Sequence, residues 1–191
     1  TTLATEDAPA KAVFHYPDGL RDFMVARIEG ETRIVDDLFA GNHGKPGTHG
    51  AVEWAIAWTL GDGGMQSYCN TVPTPDGGTH EAGLRTALLR GLKNYAELTK
   101  NKGANILTAE DIFAHCSAML SVFVREPEFV GQTKDKLASG EATRIVDNAL
   151  RDAFDHWLAA SPNQAGKLLD WAIERAEERL RRRKEKEIDR A

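Results

Sequence analysis

Segment 132–134 (QTK) carries residue types that could bind a phosphate group. It lies just beyond an apolar run that reads as a strand, and a lysine held at a strand end can pair with a phosphate as a point charge. A neighbouring glutamine can add a hydrogen bond to the same oxygens. On composition alone, charged loops of this kind mostly face solvent, so Gln132 and Lys134 are candidates only.

Segment 76–80 (DGGTH) is a second candidate for anion binding. It places two glycines directly before a predicted helix, where the free amides of the first turn attract anions. The ordinary alternative is a tight turn in which Thr79 caps the helix. Physical reasoning alone favours that alternative.

Segment 41–50 (GNHGKPGTHG) invites comparison with a phosphate-binding loop but lacks the required order. Such a loop needs Gly-Lys followed by Ser or Thr and then a helix. Here Pro46 follows Lys45 and a strand pattern comes next, so a flexible connecting loop is predicted. His43 and His49 have no cysteine or carboxylate at ligand spacing, and no metal site is predicted there.

The basic run 181–184 (RRRK) leaves two interpretations open. Glutamates are interspersed around it, which is typical of an exposed helix with ion pairs between successive turns. A basic strip beside a DNA path would have the same composition. The two interpretations have similar weight.

The totals describe a soluble globular chain, with 41% hydrophobic and 28% charged residues. The formal net charge of −5 means that any nucleic-acid role would need a local basic patch. Cys69 and Cys116 stand outside any metal-ligand spacing, which favours two free thiols over a disulfide. No apolar run reaches the roughly 20 residues of a membrane span, and no signal peptide begins the chain. A cytoplasmic location without membrane contact is expected.

Hydrophobic periodicity predicts the elements that would position these segments. Short strands are predicted at 13–16, 32–39, 51–58, 65–72 and 119–124, with a hairpin turn at 61–64 joining the third strand to the fourth. A helix follows with Leu20, Phe23, Met24 and Ile28 on one face, and a longer one begins near Thr79. That longer helix has an apolar stripe formed by Leu84, Leu88, Leu92 and Tyr95.

Three further helices complete the prediction. Thr108 and Asp111 form a capping pair that opens a short helix through His115. Residues 132–140 form a polar loop, after which a helix covers 141–159. A last helix opens at Ser161, where serine at the N-cap and proline in the first turn are typical of a helix start. Its apolar stripe stops near Leu180, so the last ten residues should project.

The pattern predicts an α/β (α+β) fold of two layers. A sheet of roughly five strands would carry helices on one face, and a long C-terminal helix would follow. Residues 1–160 would form the main domain, and residues 161–191 a C-terminal linker helix.

Three segments resemble one known family, the B subunits of bacterial type IIA DNA topoisomerases. Segment 67–85 (SYCNTVPTPDGGTHEAGLR) resembles their GGTH region, and segment 126–137 (EPEFVGQTKDKL) resembles the region of their QTK loop. Segment 14–22 (FHYPDGLRD) is similar to the opening of their second domain. The matches follow the family order, and segments 67–85 and 108–112 look closer to topoisomerase IV than to gyrase.

The resemblance implies a role and a fold. The fold would be that of ribosomal protein S5 domain 2, and the chain would be the transducer segment of an ATP-hydrolysing isomerase. Gln132 and Lys134 would contact the γ-phosphate of ATP bound in a neighbouring domain, while Mg would bind elsewhere in the full-length enzyme. Arg85 or Arg90 would face a DNA phosphate. Residues 161–191 would lead toward a toprim domain.

The resemblance also implies partners: DNA, the A subunit of topoisomerase IV, and a second B subunit in a homodimer. The family's catalytic ATPase residues and its toprim metal site match nothing here, so this segment alone is expected to be inactive. A different interpretation stays open, namely a stand-alone nucleic-acid-binding module of the same fold. Such a module would need a basic face of its own.

Overall fold

The computed structural model describes residues 19–132 and 135–190, and its centre is a five-stranded sheet. The strands, in chain order, are β1 (Phe39–His43), β2 (Val52–Trp58), β3 (Gly64–Cys69), β4 (Val72–Pro73) and β5 (Cys116–Val122). A separate antiparallel pair joins β6 (Phe129–Val130) to β7 (Lys136–Leu137). The strand predicted at 13–16 lies outside the described residues.

The helices, in chain order, are α1 (Leu20–Arg27), α2 (Thr79–Leu98), α3 (Ala109–Phe113), α4 (Gly140–Ala160) and α5 (Pro162–Arg190). A short 3-10 helix at Lys102–Ile106 connects α2 to α3. The predicted α/β class, with its sheet, its helices and its long C-terminal helix, is confirmed. The prediction that helices cover one face of the sheet needs correction, because α1 packs on the opposite face. The described residues contain no helix long and apolar enough to cross a membrane.

Strand β5 is the central strand, and the order across the sheet is β1-β2-β5-β3-β4. It pairs antiparallel with β2 and parallel with β3, so β2 and β3 are not neighbours. The predicted hairpin at 61–64 is therefore wrong. Glycine is needed at position 63 for two other reasons. Its φ of 71° is positive, and a side chain there would overlap the Cys116 carbonyl at the start of β5.

The sheet is covered on both faces because its strands alternate between two apolar clusters. Trp54, Ile56 and Trp58 point toward the large core shared with α2, α4 and α5. Ala55 and Ala57 point the other way, onto Leu20, Met24 and Ile28 of the short helix α1 and the residue after it. This second cover explains why β2 is buried almost throughout instead of alternating with solvent.

Two predictions near β1 are wrong. Residues 32–38 form bends with an isolated bridge at Arg33 rather than a strand, and β1 begins only at Phe39. It then continues to His43, into the stretch predicted to be a flexible loop. Glycine is tolerated there because β1 is an edge strand, and Gly41 leaves space that the Trp54 ring occupies.

The C-terminal helix α5 joins the body through its first half. Ala165, Leu168, Leu169, Ala172 and Ala176 are buried in the large core, while residues 181–190 are all exposed. The exposure of those last residues confirms that the end of the helix projects.

Arg179 fastens α5 to the cap of α3. Its guanidinium donates to both carboxylate oxygens of Asp111 at 2.9 and 3.2 Å and to the Ile106 carbonyl at 3.0 Å. Asp111 also accepts from the amide and hydroxyl of Thr108, which confirms the predicted capping pair. Burial would raise the pKa of Asp111, but the Arg179 and Thr108 hydrogen bonds outweigh it and hold that pKa below its ordinary value.

The β3–β4 turn stores backbone strain. Asn70 and Thr71 both have positive φ, 51° and 69°, which suits a two-residue hairpin but is unfavourable for a β-branched side chain. Asn70 compensates, since its side-chain amide exchanges two 2.9 Å hydrogen bonds with the backbone of Val124. Both cysteines are free, as predicted, and both are buried; burial raises the pKa of Cys69 to about 11.

Candidate functional site

The candidate segment 132–134 lies in sequence between β6 and β7. These two strands form a hairpin, in which Phe129 pairs with Leu137 and Val130 with Lys136. Gln132 is exposed there, and Lys134 lies outside the described residues. The predicted polar loop at 132–140 needs correction, because Lys136–Leu137 is a strand and Leu137 is completely buried.

The hairpin rests on the glycines of the other candidate segment through its main chain. The Asp76 amide donates to the Asp135 carbonyl at 2.9 Å, and the Leu137 amide donates to the Gly77 carbonyl at 3.0 Å. Gly78 forms a parallel bridge with Leu137. A side chain on Gly78 would overlap the Leu137 backbone, so only glycine permits this approach. The hairpin and segment 76–80 therefore form one structural unit, although 51 residues separate segment 76–80 from Gln132 in the sequence.

Hydroxyl groups fix the hairpin to two helices. Thr79 donates to the Ser139 carbonyl at 2.6 Å, and Thr143 of α4 donates to the Thr79 carbonyl at 2.9 Å. Ser139, itself buried, receives the Glu128 amide at 2.7 Å on its hydroxyl. Thr79 therefore does not cap α2 as the sequence suggested, since the N-cap position is occupied by Gly78. The first turns of α2 and α4 meet beside the hairpin.

A buried polar cluster lies beneath the Gly77–Gly78 turn. Ser67 of β3 is 3.0 Å from a Glu81 carboxylate oxygen and 2.7 Å from the Thr74 hydroxyl. Thr74 in turn is 2.9 Å from Nε2 of His80. His80 is fully buried, and burial lowers its pKa to about 4, so the imidazole is neutral at pH 7.

The two arginines expected to face a phosphate both have carboxylate neighbours. Arg85 lies 3.8 Å from Glu81, and Arg90 lies 3.4 Å from Asp147. Their side chains are 47% and 40% exposed, so each also reaches solvent. Partial ion pairing lowers the net positive potential that a phosphate would meet on this face of α2.

Two further histidines, His49 and His115, have structural contacts. His49 accepts the Arg125 amide at 2.9 Å and lies 3.7 Å from Glu141, which ties its loop to the start of α4. His115 contacts the Gly61 carbonyl at 3.0 Å and packs against Trp171. Within residues 19–132 and 135–190, no three His, Cys, Asp or Glu residues gather as a metal site would require.

Sequence reasoning missed the buried cluster, although a signal for it exists. His80 stands four residues before Leu84 and thus continues the Leu84, Leu88, Leu92 stripe toward the start of α2. A polar residue on an apolar stripe must find a buried partner. The partners themselves, Ser67 and Thr74, come from β3 and from the loop after β4, and no local pattern identifies them.

Comparison with known proteins gives consistent results. A family model described as DNA gyrase B matches residues 19–188. The chain is 57% identical over 97% of its length to the B subunit of DNA topoisomerase 4 from Bartonella bacilliformis, of which it covers 27%. It is 56% identical over 97% of its length to that of Caulobacter vibrioides, of which it covers 28%. The chain thus spans about a quarter of the length of these curated relatives.

Solved structures of similar fold include nucleotide-binding fragments. The topoisomerase IV ATP-binding domain of Francisella tularensis, solved with a small-molecule inhibitor, is 28% identical with a TM-score of 0.74. That match covers 87% of this chain and 44% of the other. The 43K ATPase domain of Thermus thermophilus gyrase B, solved with an aminocoumarin, is 27% identical with a TM-score of 0.73 over 89% and 46% of the two chains.

Proposed function

The chain belongs to the DNA gyrase B family, and we propose that it is the transducer segment through which an ATPase domain drives DNA strand passage. The observation that carries the proposal is the docking of the β6–β7 hairpin on Gly77 and Gly78 by main-chain hydrogen bonds. A displacement of the hairpin at Asp135 and Leu137 would break these hydrogen bonds or shift the Gly77–Gly78 turn, from which α2 begins. A ligand that shifts the hairpin would therefore act on a long helix.

The ligand in this proposal is the γ-phosphate of ATP held by a neighbouring domain. Lys134 supplies a positive charge and Gln132 a hydrogen-bond donor, which together suit a terminal phosphate. Gln132 is exposed and thus available to a group outside the chain. Hydrolysis removes the phosphate charge that pairs with Lys134. One arrangement of this segment relative to the neighbouring domain is therefore favoured while ATP is bound and is no longer favoured after hydrolysis.

The complete protein would be the ATPase subunit of an ATP-hydrolysing type IIA topoisomerase, as the names of its relatives indicate. Its partners would be DNA, the A subunit of topoisomerase IV, and a second B subunit. Mg would bind with ATP in the neighbouring domain rather than on this segment. Beyond the core residues of α5, the projecting end of the helix would lead toward a toprim domain.

The test is Lys134→Ala in the full-length protein, with Lys136→Ala as the matched control. Loss of a charge-assisted phosphate contact should lower ATP turnover about 100-fold. Lys136 is an exposed lysine two positions further along, so its loss should leave turnover within about twofold. Steady-state ATP hydrolysis measures both.

Normal ATP hydrolysis by Lys134→Ala would refute the role of Lys134. The isolated 191-residue chain should hydrolyse no ATP, since the reacting groups would belong to the neighbouring domain. If the purified chain does hydrolyse ATP, and replacement of Lys134 abolishes this activity, the assignment of the reacting groups to the neighbouring domain would be contradicted.

A further inference from the structure

We propose that His80, Thr74 and Ser67 form a hydrogen-bond relay that ends on Glu81 and positions the hairpin carrying residues 132–134. Thr74, at the middle of the relay, is then a positioning residue for the phosphate-contacting loop. The consequence for ATP turnover rests on the function proposed above, whereas the relay itself rests on geometry alone.

Proton counting fixes the direction of the relay. An ionised Glu81 can only accept, so Ser67 donates its single proton to the carboxylate at 3.0 Å, which is nearer than the Thr74 carbonyl at 3.3 Å. The 2.7 Å contact then requires Thr74 to donate to Ser67. Since Thr74 has no second proton, it must accept at 2.9 Å from Nε2–H of His80.

The other imidazole nitrogen agrees with this assignment. Nδ1 of His80 is buried and has no hydrogen-bond partner among the described residues. In the Nε2–H tautomer, Nδ1 is a bare acceptor, and an unpaired acceptor is tolerated in protein interiors more often than an unpaired N–H. Burial lowers the pKa of His80 to about 4, so at neutral pH the ring carries one proton and only one of its nitrogens donates.

The relay reaches the hairpin through the Gly77 turn. Glu81 lies directly beneath that turn, where a side chain on Gly77 would overlap its carboxylate. The Gly77 amide donates to the Thr74 carbonyl at 2.9 Å, and the Gly77 carbonyl receives the Leu137 amide at 3.0 Å. Thr74 therefore contacts both the relay, through its hydroxyl, and the turn, through its carbonyl.

Hydrogen exchange of the 191-residue chain tests the positioning role. Thr74→Val keeps the shape of the side chain but removes the proton that links Ser67 to His80. The Leu137 amide should then exchange about tenfold faster, while the fully buried Ile56 of β2 changes less. Thr74→Ser should restore slow exchange, and Thr86→Val, which loses only a hydrogen bond to the Ala82 carbonyl on the exposed side of α2, should leave Leu137 unaffected. Equal acceleration at Leu137 and Ile56 would overturn the inference.

Nitrogen NMR tests the direction of the relay. His80 should carry its proton on Nε2 and remain neutral from about pH 8 down to about pH 5. Thr74→Val should change the nitrogen shifts of His80, which a role for Thr74 in packing alone would not do. A proton on Nδ1 at neutral pH would overturn the assigned direction.

Full-length protein separates this inference from the function it rests on. Thr74→Val should lower kcat/KM for ATP about tenfold, with recovery in Thr74→Ser. Unchanged turnover in Thr74→Val beside a strong loss in Lys134→Ala would overturn the positioning role. Faster Leu137 exchange in Thr74→Val, with normal turnover in both Thr74→Val and Lys134→Ala, would leave the relay standing and refute the proposed function.

Discussion

Buried polar atoms beneath the hairpin determine what single substitutions will do. Glu81 and His80 occupy the first turn of α2, yet neither faces solvent. A carboxylate suits this position because the helix N-terminus is electropositive. Neutral imidazole suits it only while His80 stays unprotonated. These two residues therefore limit the pH range over which the site is stable, and their burial limits which side chains the site can accept.

His80 should make the fold sensitive to acid below neutral pH. Its pKa falls from 6.5 in the unfolded chain to about 4 in the fold, so between these values the unfolded chain binds more protons. Stability is then complete above pH 6.5 and is lost as pH falls toward 4, by roughly 3 kcal/mol. His80→Gln should remove this slope. Urea unfolding at about pH 7, 5.5 and 4.5 measures it, and parallel slopes in both proteins would contradict the prediction.

Gly78 should be less replaceable than a glycine with a similar backbone constraint in open space. Gly78→Ala combines a φ of 144° with overlap on the Leu137 backbone, so we expect a loss of about 3 kcal/mol in the free energy of unfolding. Gly30→Ala has a φ of 87° but no atom within 4 Å of the added Cβ, and should cost about 1 kcal/mol. Equal losses in chemical denaturation would mean that the close approach contributes nothing.

At the scale of elements, local sequence patterns predicted which helices and strands form, but they did not predict which strands pair. The stripe of Leu84, Leu88 and Leu92 located α2, and Thr108 with Asp111 located the start of α3. Gly63 looked like part of a hairpin turn, although its partner is Cys116 in a strand that comes 53 residues later. Strand pairing over that distance depends on tertiary packing, which periodicity does not encode.

The candidate site was predictable to the same extent: its segments could be found in the sequence, but their contacts could not. Segments 76–80 and 132–134 could each be singled out from composition, and the family resemblance paired them. The contact of segment 76–80 with Asp135 and Leu137 could not be predicted, because main-chain hydrogen bonds leave no side-chain signature. The partners of His80 were hidden for a related reason, since serine and threonine are common in every environment.

Arg179 should contribute more stability than the other arginines of its helix. Arg179→Ala leaves Asp111, only 2% exposed, without a charged partner and should cost about 2 kcal/mol, allowing for the 27% exposure of Arg179. Arg182→Ala breaks a pair whose arginine is 72% exposed and should cost less than about 0.5 kcal/mol. Arg179→Lys should not recover the loss, because Arg179 uses two nitrogens held in a planar fork to reach both oxygens of Asp111 and the Ile106 carbonyl, and a point-like ammonium cannot reproduce that geometry. Similar denaturation midpoints for the two alanine variants would count against this account.

At the scale of the whole molecule, one large core joins the sheet to the helices α2, α4 and α5. The sequence suggested a main domain at 1–160 and a linker helix at 161–191. Leu168 and Leu169 are nevertheless fully packed against that core. Whether the boundary lies at residue 160 or further along α5 is a question for truncation.

Two truncations should behave very differently. A chain ending at Leu180 loses the exposed residues 181–190, so its free energy of unfolding should stay within about 0.5 kcal/mol. A chain ending at Gly166 loses Leu168 and Leu169 from the core and should lose at least about 3 kcal/mol. Calorimetry or urea unfolding compares them. Full stability in the shorter chain would support a boundary at residue 160.

The central place of β5 also determines when the sheet can form during synthesis. Strand β2 ends at Trp58 and β3 at Cys69, but the strand that must lie between them is not complete until Val122. A ribosome adds roughly 5–20 residues per second, so both strands wait for several seconds with an unpaired edge. During that interval Trp54, Ile56 and Trp58 have only part of their core, because α2 precedes β5 in the chain whereas α4 and α5 follow it. The nascent chain should thus expose an unpaired strand edge and apolar side chains, both of which favour aggregation, until β5 and these helices have emerged.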